Sequence, residues 1–150
     1  MHTDWFLVAN ASKARLFRRP SPQEPLITEA SLEHPESRLR GTSLAADRPG
    51  HVEADQHKGG TSFAEPTDPR RKEHRHFAQE LAVLLAERLS VDRHDRLVVL
   101  ASSPFLGELK AELQEATHRC LQGTVDIDLT AYGLSELEER LARVLAQHRT

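Results

Sequence analysis

Five apolar residues in a row, Trp5 to Ala9, form the first patterned segment of the chain. An unbroken run this short predicts a strand covered on both faces, and hence central in its sheet. Asn10-Ala11-Ser12-Lys13 supplies turn chemistry, and Ala14 to Arg19, with Leu16 and Phe17 among arginines, predicts a second strand in a hairpin. Pro20, Pro22 and Pro25 break the chain. Leu26, Thr28, Ala30 and Leu32 then alternate with Ile27, Glu29, Ser31 and Glu33, the period of a half-exposed strand near a sheet edge. Phe77, Leu81, Leu84, Leu85 and Leu89 fall on one face of a helix that starts near Glu73. Arg96 to Ala101 carries the run Leu97-Val98-Val99-Leu100, a second doubly covered strand. Ser103-Pro104 reads as an N-cap with proline at the first helical position, and Phe105, Leu106, Leu109, Leu113 and Ala116 give that helix its apolar face. Leu121 to Leu129 predicts a last strand with Gly123 inside it. Ser135 with Glu138 matches a capping box opening a final helix, whose apolar face is Leu137, Leu141, Val144 and Leu145. Glu136 with Arg140 and Glu139 with Arg143 add i,i+4 pairs on its solvent side.

The resulting order is βββαβαβα. Consecutive strands favour a meander, and the later β-α-β crossovers require parallel neighbours, so the expected fold is α/β: a mixed five-stranded sheet with helices on both faces. That order is similar to the ribonuclease H-like folds. A length of 150 residues suits one domain. The apolar share is 38%, below that of ordinary domains, and the deficit is local. Between His34 and His76 the large apolar residues are Leu39, Leu44, Val52 and Phe63, whereas five of nine His, four of seven Gly and four of eight Pro lie there. A long polar loop, at about residues 34–72, is therefore expected between the third strand and the first helix.

A formal charge of −3 gives no overall basic signature, although a local patch is compatible with it. The single Cys120 excludes an intramolecular disulfide and multi-cysteine metal sites. Acidic Asp4 and the short apolar run near the start do not fit a signal peptide, and no apolar stretch reaches the ~18 residues of a membrane span. A cytoplasmic protein is expected. Two-metal nuclease chemistry would need carboxylates projecting from central strands. Here Asp4 precedes the first strand, Asp95 stands at the entry to the fourth, and Asp126 and Asp128 lie late in the last, where capping of strand ends explains them. His74 and His76 point to different sides of a helix start, so with His51 and His57 they read as a solvated His-rich segment rather than a metal site. Cys120 reads as a small buried apolar residue. Gly59-Gly60 lacks the strand and third glycine of a phosphate loop. Gly107 and Gly123 are read as close packing or a bulge. No cofactor is expected.

Several segments together carry a resemblance. Asp4-Trp5-Phe6-Leu7-Val8-Ala9-Asn10 with Ala14-Arg15-Leu16-Phe17, then His34-Pro35, Asp47-Arg48-Pro49-Gly50, Glu65-Pro66, Asp68-Pro69, Phe77-Ala78, Phe105-Leu106-Gly107 and Asp128-Leu129-Thr130 resemble the bacterial host attachment family, nearly end to end. That family in turn resembles the middle domain of archaeal and eukaryotic class-1 peptide-chain release factors. In those factors a Gly-Gly-Gln tripeptide, carried on a loop between the third strand and a long helix, enters the ribosomal peptidyl-transferase centre. The resemblance implies an equivalent place here for His57-Lys58-Gly59-Gly60-Thr61-Ser62, followed by Arg70-Arg71-Lys72. Thr61 stands where the glutamine would be, and its short β-branched side chain does not reproduce that reach.

The loop keeps the means to meet phosphate: Gly59 and Gly60 allow close backbone approach, and Lys58, Arg70, Arg71, Lys72 and Arg75 supply positive charge. Glu53, Asp55, Glu65, Asp68 and Glu73 offset part of it, so a merely solvated loop stays open as the plain reading. Asp47-Arg48-Pro49-Gly50 reads as a turn, with a contact site as its alternative. The expected function is a non-enzymatic, release-factor-like binding module whose partner is a ribosome, tRNA or other RNA. Two other classes stand beside it: a factor for attachment to host cells or surfaces, acting indirectly, and a residual peptidyl-tRNA hydrolase using Gly59-Gly60-Thr61.

Overall fold

A computed structural model describes residues 2–34 and 69–148, with Arg70 through its backbone alone. The sheet is built from β1 (Asp4–Ala9), β2 (Lys13–Arg19), β3 (Ile27–Glu33), β4 (Arg96–Ala101) and β5 (Leu121–Val125), in the spatial order β3-β2-β1-β4-β5. β1 pairs antiparallel with β2 and parallel with β4, β2 pairs antiparallel with β3, and β4 pairs parallel with β5. Two reversals bring β3 back to the direction of β1, so β1, β3, β4 and β5 all end at one edge of the sheet. The α/β fold with a mixed five-stranded sheet is as expected, and the two unbroken apolar runs form its two central strands.

Alternation along β1 divides the core. Trp5, Leu7 and Ala9 pack with Phe77, Leu81 and Leu85 of α1 (Pro69–Arg88) and with Phe105 and Leu109 of α2 (Phe105–Glu112). Phe6 and Val8 face the other way, against Leu137, Leu141 and Val144 of α4 (Leu134–His148). Helices therefore cover both faces.

Each outer strand carries a one-residue irregularity that the alternation of the sequence does not announce. In β3, Ala30 pairs with Leu16 and Thr28 with Phe17, so Glu29 is the extra residue. An inserted residue flips the side chains beyond it to the other face. Ala30 and Leu32 accordingly pack on the α1 side, while Leu26, expected to share their face, joins the core under α4. Glu29 accepts hydrogen bonds from Arg18 Nε at 2.7 Å and Arg88 NH1 at 3.0 Å. In β5, Leu97 pairs with Leu121 but Val98 with Gly123, leaving Gln122 as the extra residue. Gly123 adjoins that bulge, but its φ is not positive, and close packing explains neither it nor Gly107, because a Cβ built at either meets nothing within 4 Å.

Three boundaries and two caps differ from those expected. α1 begins at Pro69, where a missing N–H costs nothing, rather than near Glu73, so Arg70, Arg71 and Lys72 belong to the helix and not to the loop. The helix expected to run to Ala116 stops at Glu112, because Leu113 is extended (φ −67°, ψ 140°) while its side chain stays buried, and α3 (Glu115–Cys120) follows separately. β5 ends at Val125, not Leu129. Ser103 does not cap α2; its hydroxyl donates to Asp126 Oδ2 at 2.7 Å. The capping box is also absent, since Glu138 Oε2 accepts the Leu26 N–H at 2.8 Å instead of serving its own helix. The Glu136–Arg140 and Glu139–Arg143 pairs are present at 3.0 and 3.9 Å. Among the described residues no helix is long and apolar enough to cross a membrane.

Candidate functional site

The edge at which β1, β3, β4 and β5 end gathers polar groups from distant parts of the chain. Asn10, just past β1, closes the β1–β2 turn: its Oδ1 accepts the N–H groups of Ser12 and Lys13, each at 2.9 Å. Its Nδ2 donates to Asp128 Oδ2 at 2.9 Å and to Thr130 Oγ1 at 3.1 Å. Thr130, itself buried, donates its N–H and hydroxyl to Asp128 Oδ1 at 2.9 and 2.6 Å. An Asp whose side chain bonds backbone two residues on is a turn-forming pattern, here tied to β1 as well. Arg15 NH1 donates to the Tyr132 carbonyl at 2.5 Å, and Arg140 stacks over the Tyr132 ring at 4.1 Å. Asp126 joins the neighbouring strand ends by accepting the Ser103 N–H at 3.0 Å and the Ser103 hydroxyl.

These bonds set the charge state of both carboxyls. The Ser103 hydroxyl and N–H hold Asp126 below the usual aspartate value. Burial pushes Asp128 up, but hydrogen bonds from Thr130 and Asn10, together with the Lys13 charge, outweigh it and leave Asp128 below its usual value too. Both are therefore ionised at neutral pH with acceptor positions committed to neighbours, which suits a brace between strand ends and not proton transfer. Among the described residues no three His, Cys, Asp or Glu side chains group as metal ligands. Cys120 is buried, as expected, and burial with the nearby Asp95 carboxylate pushes its thiol up, away from nucleophilic use.

The start of α1 lies along the same edge. The His34 N–H donates to the Ser12 carbonyl at 2.7 Å, fixing the end of β3, and the His34 ring stacks on Phe77 at 5.2 Å with Nε2 2.9 Å from Glu73 Oε1. Phe77 stacks on Phe105 at 5.7 Å, and His74 meets the edge of Phe105 at 6.4 Å. This aromatic row sets the spacing of α1 and α2. On its outer side a groove of about 900 Å³ opens between the helices, with Arg71, Lys72, Arg75 and Gln79 on the α1 wall and Glu108, Ala111 and Glu112 on the α2 wall. Arg71, Lys72 and Arg75 are all exposed.

Of the residues expected to form the site, Arg71 and Lys72 are brought together in that groove, joined by Arg75, and Arg70 occupies the same first turn of α1. Lys58, Gly59, Gly60 and Thr61, like Asp47, Arg48, Pro49 and Gly50, lie outside the described residues. Sequence reasoning did not foresee the brace of Asn10, Asp128 and Thr130, although Asn10 and Asp128-Leu129-Thr130 stand in the segments that carry the family resemblance. Their separation of 118 to 120 residues hides the contact.

A comparison with curated proteins finds no match. The family model described as "Protein required for attachment to host cells" matches residues 5–141, a span that takes in all of the sheet but Asp4, the brace at its edge and the basic start of α1. The chain belongs to that host attachment family.

Proposed function

We propose that this chain is a non-enzymatic, intracellular binding module that contacts RNA phosphate on a ribosome, a tRNA or another RNA. The contact surface is the basic start of α1, Arg70, Arg71 and Lys72, together with Lys58, Gly59, Gly60 and Thr61. The observation that carries this reading is the placement of cations in α1. Its first turn has no acidic residue, so its three basic residues sit at the end of the helix whose dipole is already positive. Such an arrangement costs a helix about 0.3–1 kcal/mol per charge, and a bound anion would offset it. Arg71, Lys72 and Arg75 also share one open groove, where they outnumber Glu108 and Glu112.

Titration of fluorescent tRNA and co-sedimentation with ribosomes at increasing salt test the reading. Binding should weaken with a log–log slope of about −0.7 to −0.9 per phosphate contacted. The Lys58, Arg70, Arg71, Lys72→Ala variant should show a shallower slope and lower affinity. No association at low salt, or unchanged affinity in that variant, would refute it. The family description favours a second reading, attachment to host cells. On the present proposal that role is indirect, exerted through the expression of other components.

A further inference from the structure

The opposite edge of the sheet, where β1, β4 and β5 begin, holds a slot that none of the preceding chemistry uses. Its floor follows from register. On the α4 face, Phe17, Phe6, Val98 and Gly123 form one row across β2, β1, β4 and β5, and Arg19, Asp4 and Arg96 form the next row outward. The inner row has a vacancy. Gly123 stands where the row calls for a side chain, and a Cβ there would meet nothing within 4 Å. Leu145 and His148, at the last turn of α4, form the far wall of this open slot, whose volume is about 300 Å³. A dry cavity of about 150 Å³ already admits benzene, so a ring with a short tail fits.

The rim gives the slot a charge preference. Arg19 lies over the Phe6 ring at 5.2 Å, with NH2 4.0 Å from Asp4 Oδ2, and Arg96 Nε is 4.0 Å from Asp4 Oδ1. Two guanidinium groups thus share one carboxylate, at separations too long for hydrogen bonds, with His2 Nε2 3.5 Å from Asp4 Oδ1 and 3.1 Å from Arg96 NH1 beside them. Arg19 Nε is a buried donor with no acceptor among the described residues. A buried donor left unsatisfied costs free energy, which a shift of the Arg19 side chain toward a ligand carboxylate would recover.

We infer that this slot binds a small organic anion with an apolar body, its ring over Phe6, Val98 and Gly123 and its carboxylate on Arg19 and Arg96. The carboxylate lies on the sheet side, away from the carbonyl end of α4, whose dipole would repel it. Planar carboxylates match the guanidinium fork, which selects an acid over its neutral amide. This inference does not rest on the RNA-binding reading, whose described side chains, Arg71 and Lys72, lie at the other edge.

The test uses 3-phenylpropionate and its neutral counterpart 3-phenylpropanamide as probes in two-dimensional NMR titrations of the full chain. Expected are shifts centred on Phe6, Val98, Gly123 and the Arg19 side chain, with the acid binding about tenfold tighter than the amide. Replacing both arginines, Arg19→Gln with Arg96→Gln, should bring the acid down to the amide's affinity. Gly123→Val fills the slot with a residue suited to a strand and should abolish binding of both probes while spectral dispersion is kept. No shift at millimolar acid, equal affinity for acid and amide, shifts centred elsewhere, or undiminished binding in a folded Gly123→Val variant would each overturn it. If that variant does not fold, the arginine pair still decides, since an unchanged preference for the acid overturns the assignment.

Discussion

Asn10 serves two groups of partners with one side chain: its oxygen holds the β1–β2 turn, and its nitrogen holds the segment that follows β5. Asn10→Ala removes both, leaving the Ser12 and Lys13 N–H groups without their acceptor. The expected loss is about 1–2 kcal/mol of unfolding free energy, read from chemical denaturation. Asp128 adds a pH dependence whose sign follows from its lowered value. A carboxyl held below 3.8 in the folded state contributes stability that is present above that pH and is lost as pH falls through the folded value. Wild type should therefore be more stable than Asp128→Asn at neutral pH, and the gap should close as melts are taken below about pH 4. A constant gap across that range would show that the Asp128 charge is not what the brace uses.

At the scale of elements, the long-range pattern was legible and the single-residue departures from it were not. Unbroken runs at Trp5–Ala9 and Leu97–Leu100 mark the two central strands, because a strand covered on both faces must be apolar at every position. The bulges at Glu29 and Gln122 leave no such mark: a hydrophobic pattern is equally good on either side of one inserted residue, and only pairing with β2 or β4 reveals it. The break at Leu113 is hidden for a related reason, since Leu113 is buried whether the chain continues as helix or turns. Glu138 departs from the expected cap because its own helix and the distant Leu26 N–H compete for one carboxylate, and the sequence shows only the local partner. The candidate site was half legible: the basic cluster could be read from the chain, but its membership of α1 depends on Pro69 starting the helix. That membership yields a prediction. Arg71→Glu with Lys72→Glu replaces cations at a positive dipole end by anions and sets each opposite Arg75, at i,i+4 and i,i+3. Stability should rise by about 0.5–2 kcal/mol in denaturant titration while RNA affinity falls. Loss of both together would indicate that the basic first turn is structural.

Across the whole molecule, stability should be distributed as the sheet order dictates. β1 lies between β2 and β4, and its residues Trp5 to Ala9 are no more than 4% exposed, so its amides open only when both faces and both ladders are lost. β4 is similarly enclosed, whereas β3 and β5 each have one free side among the described residues and each carries a bulge. Bulges weaken an outer ladder and also blunt it against pairing with other chains. Both proposed binding surfaces adjoin these weaker parts: the slot sits over Gly123 of β5, and the basic groove lies near the end of β3. Binding surfaces are commonly drawn from the less stable end of a fold, while the core that positions them is not. Native-state hydrogen exchange should therefore rank the amides of Phe6, Leu7 and Val8, with Val99 and Leu100, slowest, at the global unfolding free energy of about 5–15 kcal/mol. Those of Thr28 to Leu32 and of Gly123 and Thr124 should exchange through smaller openings and respond less to denaturant. If β3 exchanged as slowly as β1, the sheet would open as one unit, and the division between a rigid centre and weaker, binding margins would fail.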